Sequence, residues 1–143
     1  MRISVADAQR LGALPKAKPK TAAQRQLAKA EREKYEDALA ADLDRAGFRG
    51  FYSRQAAFHP GRKWIADFIL VGAYHPTLLI EVDGGMWIRG SKSHGSGGYE
   101  KDRARDAETL AGGRLVLRVT PRQVIAGLAI EWVKAILKRW ARP

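Results

Sequence analysis

The sequence predicts a mixed α/β (α+β) domain: a helix, three strands, a second helix, a fourth strand and a closing helix. Three observations carry that order. A Thr21/Gln24 pair at capping-box spacing precedes Leu27, Tyr35, Ala38, Leu39, Leu43 and Ala46, which recur at helical intervals. Aliphatic and β-branched runs at Phe51 to Phe58, Trp64 to Val71 and Thr77 to Val82 are separated by short turn signals. Val124, Ile125, Leu128, Ala129, Trp132, Val133, Ile136 and Leu137 then give the last helix a wide apolar face, read as core packing.

At 143 residues the chain suits one domain, and its 45% apolar content is ordinary for a soluble protein. There is no cysteine, which removes disulfides and thiolate zinc sites and fits a reducing cytoplasm. No apolar run reaches the roughly 18–20 residues that span a bilayer, so no membrane is expected. The net charge of +11 favours a polyanionic partner, and without a strongly basic amphipathic helix DNA or RNA is preferred over a lipid surface.

Taken in order, residues 1–20 read as a basic, flexible N-terminal arm, and residues 21–143 as the domain. Lys16, Lys18 and Lys20 alternate with proline and alanine there and are placed to meet phosphates. The first helix runs from Thr21 to Gly47 or Gly50, with its basic early turns projecting and Glu36 beside, rather than on, the apolar stripe. His59-Pro60-Gly61 and residues 72–76 are turns, and such short connections favour antiparallel neighbours. Residues 84–98 form a glycine-rich loop whose Trp87, Arg89, Lys92 and His94 suit contact with a nucleic acid backbone, or a mobile surface. Tyr99 to Ala111 is the second helix, bearing Lys101, Arg103 and Arg105, and Arg114 to Thr120 is the fourth strand. Pro121 is well suited to open the final helix.

The chemistry concentrates on the strand Thr77 to Asp83. Alternation puts Glu81 and Asp83 on one face and Leu78, Ile80 and Val82 on the other. Two like charges on a core strand demand compensation, most economically by a divalent cation, or else by an arginine on Glu81 with Asp83 capping the strand end. Asp67 adds a third acid in the middle of the preceding strand. With adjacent strands roughly 5 Å apart, Asp67 beside Glu81 could converge on one hard cation such as magnesium or manganese.

The ordered set Tyr35-Glu36, Phe58-His59-Pro60, Trp64-Ile65-Ala66-Asp67-Phe68, Glu81-Val82-Asp83-Gly84-Gly85-Met86-Trp87, Gly95-Ser96-Gly97 and Leu117-Arg118-Val119-Thr120 resembles the PD-(D/E)xK nuclease superfamily. More narrowly it resembles a small phage-associated branch, kin to very-short-patch-repair-like endonucleases. The resemblance covers about residues 33–139. It implies a restriction-endonuclease-like αβββαβ core with a mixed four-stranded sheet flanked by helices, and a magnesium- or manganese-dependent endonuclease acting on DNA in a bacterial or phage-infected cytoplasm. It further implies that Asp67, Glu81 and the Val82 carbonyl bind the metal, with Glu36 an accessory acid acting through water or a second metal. Asp83 stands where the superfamily usually has lysine, and in relatives a basic residue of the following helix often substitutes. Lys101, Arg103 and Arg105 are the candidates. Lys101 is the most attractive chemically, because arginine cannot readily give up a proton. His94 matches only approximately a loop histidine of relatives. The alternative is a non-catalytic DNA-binding module on the same fold; a phage structural protein is a third reading, and monomer or homodimer stays open.

Overall fold

A computed structural model describes residues 19–72, 75–83 and 96–140. Helix α1 (Ala22–Arg45) starts where Thr21 and Gln24 form the expected reciprocal cap, the Thr21 hydroxyl accepting from the Gln24 amide at 3.2 Å. It ends at Ala46, and Gly47 follows at φ 91°, a conformation that glycine adopts without strain. Every residue from Pro19 to Lys34 is exposed, so the first half of α1 projects beyond the body. Leu27, expected on the buried stripe, is 68% exposed because its turn has nothing to pack against. Glu36, expected beside the stripe, is instead buried, in the first turn of α1 that meets the sheet.

The strands are β1 (Tyr52–Ala57), β2 (Ile65–Gly72), β3 (His75–Val82) and β4 (Leu115–Val119), with helix α2 (Ser96–Ala111) between β3 and β4. They form one mixed sheet in the order β1-β2-β3-β4. β1, β2 and β3 are antiparallel neighbours, as their short connections require, while β4 joins β3 in parallel after the α2 crossover. His75 and Pro76, expected in a turn, belong to β3, and α2 begins at Ser96, inside the expected loop. No helix among the described residues is long and apolar enough to cross a membrane.

The sheet separates two apolar clusters. On one face Phe68, Leu70, Leu78, Ile80 and Val82 pack with Leu39 and Leu43 of α1 and with Val124, Ala129, Val133 and Leu137 from the C-terminal region. On the other face Leu79 meets Phe58 and Ala66, with Trp64, Ile69 and Val116 at the margin. The alternation of β3 therefore divides as expected, and Glu81 emerges on the side of the smaller cluster. The terminal helix is two pieces, α3 (Pro121–Ile125) and α4 (Leu128–Trp140), separated by Gly127 at φ 76°. The break rotates part of the apolar face away from the core, leaving Ile125 65% exposed and Leu128 and Trp132 outside the packed interior.

Candidate functional site

The register Phe68↔Ile80 between β2 and β3, continued by one residue, sets Asp67 directly opposite Glu81. Asp67 is fixed there from both sides. Its Oδ2 accepts the backbone N–H of Val82 at 2.8 Å, and its Oδ1 accepts the Gln55 side-chain amide at 3.0 Å. The same Gln55 nitrogen donates to Glu36 Oε2 at 3.0 Å, so one amide links the buried acid of α1 to the acid of β2. Gln55 lies between the paired positions Arg54↔Phe68 and Ala56↔Ala66, with φ 46°. A left-handed backbone at a residue with a side chain costs on the order of 1–3 kcal/mol, so tertiary contacts must maintain it.

Glu36 is 2% exposed, and its Oε1 has no hydrogen-bond partner. Burial, reinforced by the charge of Asp67, raises its pKa above the usual carboxylate value. The Gln55 hydrogen bond, Arg32 and Arg54 act in the opposite direction. Both arginines stand 3.9 Å from its carboxylate and help line an open cavity of about 350 Å³ between α1 and β1. A carboxyl whose folded pKa is raised stabilises the fold below its unfolded value near 4.5 and loses that contribution as pH climbs through the folded value. Glu36→Gln should therefore be relatively more stabilising at pH 7 than at pH 4, in urea unfolding with chelator present. Any cost of the new amide is common to both conditions. An equal effect at the two pH values would show that Glu36 ionisation does not oppose folding.

Glu81 is compensated by guanidinium groups. Arg118 of β4, its register partner, lies 3.0 Å from Oε2, and Arg105 of α2 pairs with Oε1. Arg118 also reaches Asp83 Oδ2 at 3.3 Å and Asp106 Oδ1 at 2.7 Å. Burial pushes the Glu81 pKa up; Arg118 and then Arg105 pull it down, and Asp83 and Asp67 push it up again, leaving it raised. Burial opposes the charge on Arg118, yet its bond to Asp106 and the charges of Glu81, Asp106 and Asp83 outweigh that and raise its pKa. Arg105 is held independently of Glu81. It donates to the Ile65 carbonyl at 3.0 Å and lies over the rings of Phe58 and Trp64 at 5.4 and 6.0 Å.

Of the sequence candidates, Asp67 and Glu81 are brought together, Glu36 reaches them through Gln55, and Asp83 joins through Arg118. Lys101 is exposed on α2, and none of the acids' hydrogen bonds or ion pairs just described involves it; Arg105 is the α2 residue at Glu81. Arg103 lies 3.5 Å from Asp106. Lys20 is exposed at the start of α1. Lys16, Lys18, Trp87, Arg89, Lys92 and His94 fall outside the described residues, as does most of the arm.

Gln55, Arg118 and Asp106 are the members that sequence reasoning missed. Arg118 had a signal, being the one charge in the apolar run Leu115 to Val119. Gln55 had none.

Among the described residues no group of three or more acidic or imidazole side chains converges to hold a metal ion. The donor chemistry still suits a hard cation. Each oxygen of Asp67 and Glu81 that accepts one hydrogen bond keeps a second lone pair. Two acids fit a cation that keeps several waters, as magnesium and manganese do, better than a full protein cage. Comparisons with protein-family models, curated proteins and solved structures find no match to this chain.

Proposed function

We propose that this domain is a magnesium- or manganese-dependent DNA endonuclease that hydrolyses phosphodiester bonds on a restriction-endonuclease-like core. The observation that carries the reading is Asp67 set opposite Glu81 across β2 and β3, in a chain of net charge +11. The order of helices and strands, with three antiparallel strands and a parallel fourth, supports the same core.

Asp67, Glu81 and the Val82 carbonyl are the groups that would hold the cation. When bound, it lowers the pKa of a water and stabilises charge on the phosphoryl oxygens. The chain's own residues supply the rest. Arg105, fixed by the Ile65 carbonyl and two aromatic rings, presents a rigid, permanently charged donor fork beside Glu81. Such a fork can grip a non-bridging phosphate oxygen and stabilise charge that develops there. It moves no proton, so it takes the electrostatic part of the missing lysine's role and leaves the proton to solvent or substrate. Arg118 aligns Glu81 and Asp83, and the projecting basic turns of α1, with Arg25, Lys29 and Arg32, can follow a phosphate backbone.

The test is incubation of purified protein with linear, nicked, branched and single-stranded DNA, with and without Mg²⁺ or Mn²⁺. Cation-dependent cleavage of at least one form is expected. Absence of cleavage of all of them would sink the reading.

One observation favours a second reading, a DNA-binding module without chemistry. Glu81 is already compensated by two guanidinium groups, so its place in the fold does not demand a metal. In that case the protein would bind DNA with a steep salt dependence, and calorimetry would record no heat with Mn²⁺.

A further inference from the structure

We propose that Gln55 restricts the acid centre to a single divalent cation, by keeping an amide nitrogen between Glu36 and Asp67 where a second cation would have to bridge them. The inference rests on the reading that Asp67 and Glu81 hold a cation, and it concerns what the neighbouring acid Glu36 then does.

Three groups could in principle feed two cations, because Glu36 brings a further carboxylate to within one side chain of Asp67. The space between these two acids is occupied. Gln55 Nε2 is 3.0 Å from Glu36 Oε2 and 3.0 Å from Asp67 Oδ1, so both of its hydrogens are directed at carboxylate oxygens. The orientation of the amide follows from its neighbours. Ionised carboxylates only accept, so the nitrogen faces them and the amide oxygen turns away. An amide nitrogen carries no free lone pair for a metal and is electropositive at its hydrogens. A cation bridging the two acids would need to stand about 2.1 Å from each oxygen, in the space the nitrogen fills.

Two further observations point the same way. The backbone of Gln55 takes φ 46°, unfavourable for any residue with a side chain, and that conformation accompanies the placement of its amide between the two acids. Arg32 stands 3.9 Å from Glu36 Oε1 and Arg54 3.9 Å from Oε2, and both add positive charge around the carboxylate. Glu36 is thus a buried acid whose Oε1 accepts no hydrogen bond and yet is screened from metal by positive charge. It acts on the centre by orienting Asp67 through Gln55, and Gln55 is a positioning residue.

The experiment is calorimetric titration of Mn²⁺ into the wild-type chain, Gln55→Gly and Gln55→Glu, with circular dichroism to verify the fold. Glycine accepts the left-handed backbone and removes the amide; glutamate keeps the shape and exchanges a donor for a ligand. One Mn²⁺ per wild-type chain and two per chain in the variants is the expected result, a doubling of stoichiometry that a merely structural role for Gln55 would not produce. Two Mn²⁺ on the wild type, or one on the folded variants, overturns the inference and leaves the metal centre standing. No Mn²⁺ on the wild type overturns both. Should neither variant fold, Gln55→Asn, which tolerates the left-handed backbone and withdraws the amide by one carbon, takes their place with the same expected doubling and the same overturning result.

Discussion

Replacing Asp67 by alanine is expected to reduce cation-dependent DNA cleavage by roughly 10²–10³-fold or more, the scale on which loss of one preorganised charged group acts at a reacting centre. Asp67 is held opposite Glu81 by the Val82 N–H and the Gln55 amide, so alanine removes a carboxylate whose position the fold fixes. DNA affinity in the absence of cation should be unchanged or higher, because removing a negative charge from a basic surface favours a polyanion. The two effects must be measured together, cleavage by gel and binding by fluorescence anisotropy with chelator. Cleavage by Asp67→Ala at the wild-type rate would remove Asp67 from the chemistry. An equal fall in binding would show that the variant had lost structure instead.

Arg118→Ala is expected to lower stability by about 1–3 kcal/mol in urea unfolding, since it removes one of the two guanidinium partners of a buried carboxylate. Arg118 serves Glu81, Asp83 and Asp106 at once, and Glu81 is 9% exposed. Part of the loss should come from Glu81, left with Arg105 alone, so Glu81→Gln in the Arg118→Ala background should recover some of it. A loss below about 0.5 kcal/mol would mean that the cluster behaves like solvent-screened surface pairs. The change would also separate two roles of this arginine. If it only aligns Glu81, stability falls and Mn²⁺ affinity falls with it; if it competes with metal, affinity rises.

Local physics made the frame readable. Thr21 with Gln24 and Thr120 with Pro121 announce helix starts; the first pair forms the expected reciprocal cap, and Thr120 forms one with Gln123. The alternation in Thr77 to Val82 separates the acids from the core, and short turns bring β1, β2 and β3 together, so Asp67 beside Glu81 could be read from the residues alone. What escaped depends on distant partners. Glu36 lies off the main apolar stripe, and only the position of β1 makes it a buried residue. Compensation of Glu81 comes from α2 and β4, far along the chain, and spacing within α2 does not decide between Lys101 and Arg105. The divided terminal helix follows from Gly127, which can sit in an intact helix or end one. The left-handed backbone of Gln55 leaves no trace in composition, because glutamine ordinarily avoids it.

The left-handed residue in β1 also bears on how the molecule behaves among its own copies. Among the described residues β1 is an outer strand of the sheet, so one row of its backbone donors and acceptors has no partner strand there. A straight outer strand of this kind is a template on which another chain can add. The rotation at Gln55 interrupts the row near the middle of a strand only six residues long, and the flanking Ser53 and Arg54 are polar and exposed. Neither remaining segment is long enough to nucleate pairing with a neighbour. The conformation that aims an amide at two acids thereby blunts the β1 edge of the sheet against pairing with another chain.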